Sequence, residues 1–202
     1  MVRKENGFTL IELLIVVAII AILAAIAIPN FLQAQIRAKV SRVKADTRTA
    51  ATALEAYRVD YSNYPPMNDG PGWAPLPPTF SSRLSIYLTT PIAYITSIPH
   101  DEFMEVAPPP PLGVTSEQMH RLTYYNYNQY KDDGSAYSAA RNAVAGEWLI
   151  YSWGPDRAAN FASSPPVGAD GVYTNYDPTN GTVSTGNIIR TQVDPQKYDG
   201  AD

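Results

Sequence analysis

The 202-residue chain has no cysteine and only two histidines. The first absence excludes disulfide scaffolds, thiolate zinc sites and cysteine nucleophiles. The second leaves little for imidazole chemistry: His100 beside Asp101 and Glu102, and His120 three residues after Glu117, read as solvated surface groups rather than metal pairs. No G-x-S-x-G elbow, phosphate loop or dinucleotide fingerprint occurs, and no catalytic constellation is visible, so an enzyme is not expected. Basic charge is also short. Fifteen Lys and Arg stand against nineteen Asp and Glu, a net of −4, which argues against nucleic acid as a partner.

The most informative shortage is local. The first sixty residues hold one of 18 prolines (Pro29) and one of 12 glycines (Gly7), so turns are excluded from a very long stretch. They carry eight basic against five acidic side chains, net +3, whereas the remainder carries seven against fourteen, net −7. A slightly polar average therefore conceals a basic rod joined to an acidic, aromatic, proline-rich head.

Within the rod, Phe8 to Ile28 reads FTLIELLIVVAIIAILAAIAI, with Glu12 as its one charge. A helix of that length rises about 31 Å, the thickness of a bilayer's hydrocarbon core. The run is too long for the 7–15-residue core of a cleaved secretory signal. An ionisable group inside such a span is costly and marks a function, and a carboxylate there wants a cation. The nearest candidate is a free α-amino group at Phe8, created by a cut after Gly7.

Past Pro29 the apolar positions Leu32, Ile36, Val40, Val43, Thr47, Ala50, Leu54, Tyr57 and Tyr61 recur every three or four residues, the period of an amphipathic helix. Together with the span they predict one helix of more than fifty residues, its outer half packed on a sheet. Pro29 lacks the N–H that would bond the Ala25 carbonyl, which marks a kink or a place where the helix melts. Asp60-Tyr61-Ser62-Asn63-Tyr64-Pro65-Pro66 ends the helix, because the residue before a proline is pushed out of the α region.

In the head, six prolines between Tyr64 and Thr79 and the run Pro108–Pro111 predict extended loops. A short helix is expected around Arg83–Leu88. Strands are expected at Arg121–Asn128, Glu147–Trp153, Gly171–Tyr176 and Thr182–Arg190, the last two joined through Asn180-Gly181. The tyrosines Tyr124, Tyr125, Tyr127 and Tyr130 are assigned to core or interface in preference to a surface that stacks on polymers. The fold class is α+β: a long N-terminal helix on a small antiparallel sheet.

Gly7-Phe8-Thr9-Leu10-Ile11-Glu12 resembles the signature of class III prepilins, the type IV pilins and type II secretion pseudopilins, with the major pseudopilins the nearest likeness. The resemblance implies a pilin-like fold divided into a cleaved leader (1–7), a transmembrane and assembly half-helix (8–28), an amphipathic half-helix (29–63) and a globular head (64–202). It implies that a prepilin peptidase cuts after Gly7 and methylates Phe8, that Glu12 neutralises a neighbouring N-terminus, and that Pro29 bends or melts on assembly. The implied partners are other copies in a helical filament, other pseudopilins, an inner-membrane secretion platform and the membrane, with no nucleic acid. The head is then periplasmic and the chain a single-pass protein of the bacterial inner membrane. Loop charge alone points the other way, since five basic residues (Arg37, Lys39, Arg42, Lys44, Arg48) follow the span and two precede it; the family orientation is preferred. Ser152-Trp153-Gly154-Pro155-Asp156 and Ser184–Ile188 resemble the loop in which major pseudopilins bind calcium. Carried over, Asp156 is the leading ligand, with Asp177 or Asp170 adding oxygens. Arg157 stands where glycine is usual, and Asn187 replaces an aspartate. The resemblance implies a mechanical role in exporting folded proteins; a type IV pilus subunit and a membrane-anchored polymer-binding protein are the alternatives.

Overall fold

The computed structural model describes residues 8–67, 83–104, 120–128, 146–157, 176–177, 179 and 186–193. A single helix, α1, runs without interruption from Leu10 to Tyr61, 52 residues, straight through Pro29. At 1.5 Å per residue it is about 78 Å long. Its end is set by Ser62, which turns left-handed (φ 55°) and donates its N–H back to the Arg58 carbonyl at 2.8 Å, so the prolines follow the stop rather than make it.

Three short strands form one antiparallel sheet in the order β1 (Thr123–Asn126), β2 (Trp148–Ser152), β3 (Ile188–Thr191). Register pairs Tyr124 with Ile150 and Ile150 with Arg190. Arg83 and His100 add isolated bridges to Thr123 and Arg121. The short helix expected near Arg83–Leu88 is a single 3-10 turn at Ile86–Leu88, capped by the Ser85 hydroxyl. The final strand begins at Ile188, inside the expected segment; most of the expected partner 171–176 and the Asn180-Gly181 turn lie outside the described residues. The α+β expectation holds: a long helix packs on a small sheet.

Val40, Val43, Thr47, Ala50 and Leu54 are the buried stripe of α1, as their spacing requires, and they pack into one core with Leu122, Tyr124, Leu149, Ile150, Ile188 and Ile189. All five residues of β2 are buried, so the central strand is covered on both faces. The ends of the expected stripe differ: Leu32 and Tyr61 are half exposed, because the head covers only the helix between them. Tyr124, Tyr125 and Tyr127 are core residues. Tyr125 stacks on Tyr127 and on Tyr151, each with centroids 6.2 Å apart, which removes these rings from any ligand-binding surface.

A polar cluster locks the outer end of α1 to the sheet. The Glu55 carboxylate accepts from the Trp148 indole N–H at 2.8 Å and from the Tyr64 hydroxyl at 3.0 Å. Tyr64 in turn accepts from Arg58 and from Gln192, and Arg58 pairs with Glu147 at 2.9 Å. Burial, first among the causes, pushes the Tyr64 hydroxyl up to about 12, so it stays protonated and able to donate.

Candidate functional site

The inner half of α1 has nothing packed on it among the described residues. Its large apolar side chains from Leu10 to Leu32 are between 45% and 88% exposed. The segment is long and apolar enough to cross a membrane by length and composition. Isolated soluble domains rarely leave an apolar patch of more than a few hundred Å² open, so this face is built for lipid or for other helices.

Thr9 caps the helix and shows what Glu12 does within one chain. The Thr9 N–H and hydroxyl both donate to the Glu12 carboxylate, at 2.9 and 2.7 Å, while the Glu12 N–H reaches the Thr9 hydroxyl at 3.4 Å. This is a reciprocal capping box. Sequence reading had passed over it, although Thr9-x-x-Glu12 was there to be read. The cap supplies hydrogen bonds but no positive charge, so the demand of Glu12 for a cation remains. Phe8, at 71% exposure, begins the apolar face, and Gly7 lies outside the described residues. At Pro29 the Ala25 carbonyl is left without its helical donor, yet the helix continues unbroken.

Of the residues assigned to calcium, Asp156 and Asp177 lie among the described residues. Among the described residues, no three His, Asp or Glu side chains stand close enough to hold an ion. Asp177 accepts from the Thr179 N–H and hydroxyl at 2.8 and 2.6 Å, bonds that hold its carboxyl below the usual range. Asp156 is half buried in a turn, and Asp170 lies outside the described residues. Calcium needs six to eight oxygens, and the described residues bring no such set together.

What organises that loop is Asp101, which sequence reading had placed on the surface. It is 4% exposed. Its carboxylate accepts from the Ser152 hydroxyl at 2.5 Å, the Trp153 N–H at 2.9 Å and the Phe103 N–H at 3.0 Å. Burial pushes its carboxyl up, against those hydrogen bonds and the nearby Arg83 guanidinium. No local pattern could have signalled this, because Ser152 is 51 residues away. Beyond Trp153, Gly154 adopts φ +79°, and a Cβ there would sit 2.1 Å from the Gly186 carbonyl oxygen. Arg157 also has positive φ, 54°, at the position where glycine is usual in the family pattern. The two resembling segments therefore meet backbone to backbone at Gly154 and Gly186, and the Tyr176 N–H donates to the Asn187 carbonyl at 3.0 Å.

Comparison with known proteins bears first on the N-terminal segment. A family model described as the prokaryotic N-terminal methylation motif matches residues 2–28. The type IV major pilin protein PilA of Myxococcus xanthus is 47% identical over 72 residues, 36% of this chain and 33% of that protein. The type II secretion system core protein G of Pseudomonas aeruginosa is 41% identical over 68 residues, 34% of this chain and 48% of that protein. The same protein of Dickeya chrysanthemi is 30% identical over 112 residues, 54% of this chain and 72% of that protein. In the first two, the chain spans only a third to a half of the relative's length. No solved structure matches.

Proposed function

This chain belongs to the prepilin family that contains type IV pilins and type II secretion pseudopilins, and from that premise we propose that it is a structural subunit of a type II secretion pseudopilus. A peptidase cuts after Gly7 and methylates Phe8. The bare inner half of α1 then holds the subunit in the inner membrane and, on assembly, packs against the same segment of other copies. Glu12 leaves its Thr9 cap to meet the Phe8 amino group of a neighbour, and the lost bond at Pro29 lets the helix yield as it enters the filament. The head stands in the periplasm, and growth of the filament on its membrane platform moves folded cargo outward. The role is mechanical, not catalytic.

The length of the Dickeya match carries the choice of pseudopilin. The matches to pilins cover 56 to 72 residues, little more than the length of α1. A match of 112 residues must run past Tyr61 into the head. The 47% identity to a major pilin supports a second reading, a type IV pilus subunit. Deleting the chromosomal copy separates them: loss of protein secretion without loss of surface fibres supports the pseudopilin, and loss of extracellular fibres containing this chain supports the pilus. In either case Glu12→Ala leaves leader cleavage intact and abolishes filaments; normal filaments from that variant would sink the neutralisation step.

A further inference from the structure

The turn that follows β2 is where the sequence resemblance implies an ion, and its chemistry has the opposite sign. The groups that residues 152–154 present inward are donors. The Ser152 hydroxyl and the Trp153 N–H both donate to the Asp101 carboxylate, at 2.5 and 2.9 Å, and the Gly154 N–H reaches the Ser152 hydroxyl oxygen at 3.4 Å. From its own segment the Phe103 N–H donates to the same carboxylate at 3.0 Å. A calcium ion collects oxygens, whereas converging N–H and O–H groups make a socket for an anion. Asp101 fills that socket from within the chain.

Asp101 is itself firmly held. Its N–H donates to the His120 carbonyl at 2.6 Å, its carbonyl accepts from the Met104 N–H at 3.2 Å, and the adjoining His100 bridges to Arg121. The buried Arg83 guanidinium supplies a cation nearby, so the buried carboxylate does not stand alone. Oxygens around the turn are already engaged by the protein. The Gly154 carbonyl accepts from the Arg157 N–H at 3.1 Å, the Asn187 carbonyl from Tyr176, and Asp177 twice from Thr179. Asn187 Oδ1 is buried without a donor, a single oxygen where calcium takes six to eight.

We propose that Asp101 is the anchor of the turn 152–157, an internal carboxylate that does the work of a bound cation, so that the head holds this turn in place without calcium. Either anchor closes two distant segments onto one charged centre. Here the segment 101–103 brings the charge, and the end of β2 brings the donors. Removing the carboxylate leaves buried donors unpaired, which costs more than the bonds themselves contribute. The inference concerns the head alone and holds for a pseudopilus and a pilus subunit alike.

The detergent-solubilised full chain, at mildly alkaline pH, gives two readouts. The first is the melting midpoint in millimolar magnesium and after exchange into millimolar calcium. The two midpoints are expected to agree within about 1 °C. A specific site filled at a hundred times its dissociation constant would raise the midpoint by about 5 °C or more, and a rise of that size overturns the proposal. The second is tryptic cleavage after Arg157, which is exposed at the end of the turn, followed by fragment mass. Asp101→Ala is expected to speed that cut at least about tenfold, in calcium as in magnesium, while the cut after Arg58 at the far end of the head keeps its rate. If the Asp101→Ala head does not fold, Ser152→Ala decides; it removes one donor and is expected to speed the Arg157 cut about threefold. An unchanged Arg157 cut in a folded variant, equal acceleration at Arg58, or a faster cut that calcium reverses overturns the anchor.

Discussion

The two halves of α1 share one secondary structure and almost nothing else. From Leu10 to Leu32 the helix is apolar all round, with its large hydrophobic side chains on every side left bare. From Val40 to Leu54 it shows a narrow stripe to the sheet, and its other faces are charged. Helical hydrogen bonds are satisfied within the segment, so they are indifferent to what surrounds it. What differs is where each half finds its solvent: the outer half brings its own, a sheet of three strands, and the inner half requires lipid or other copies.

Truncation breaks or sharpens that contrast most directly. Leu54→Ala is expected to destabilise the head by about 2–5 kcal/mol, the usual range for a fully buried leucine, seen as a lower midpoint when the detergent-solubilised chain is melted. Leu14→Ala removes the same atoms from the bare half and is expected to leave that midpoint unchanged. Equal shifts would mean that the two halves unfold as one unit.

The next effect lies wholly within the head. Gly154→Ala puts a methyl group onto the Gly186 carbonyl. Overpacking costs about 1–3 kcal/mol, and a left-handed residue with a side chain about 1–2 more. The melting midpoint should fall while membrane insertion is untouched.

The smallest expected effect is in pH dependence. Burial raises the Asp101 carboxyl in the folded head above its value in the unfolded chain. A carboxyl raised by folding contributes stability below its unfolded value, and that contribution is lost as pH rises through the folded one. Measured as the difference in midpoint between wild type and Asp101→Asn, the wild-type advantage should be largest in acid and shrink as pH climbs from the ordinary carboxylate range toward neutrality. A difference that grows with pH would mean that hydrogen bonds from Ser152, Trp153 and Phe103 outweigh burial.

Much of this was legible residue by residue. The stripe Val40, Val43, Thr47, Ala50, Leu54 and the apolar run before it follow from spacing, as do the strands around Tyr124 and Ile150. The capping box at Thr9 and Glu12 was equally local and was simply overlooked. The misreading of Asp101 has a different cause. It looked like a solvated loop acid because nothing near it in the chain shows what lies opposite.

By itself the sequence determined what rests on nearest neighbours: the helix, its change from apolar to amphipathic, the strands, the leader motif and the charge split between rod and head. These depend on local backbone geometry and on periodicity, which adjacent residues carry. Only the tertiary structure decided that Asp101 ties residues 152–153 to the segment 101–103 and that Gly154 meets Gly186. Those contacts join residues 30 to 60 positions apart, and chain order carries no measure of such distances until the core has brought them together.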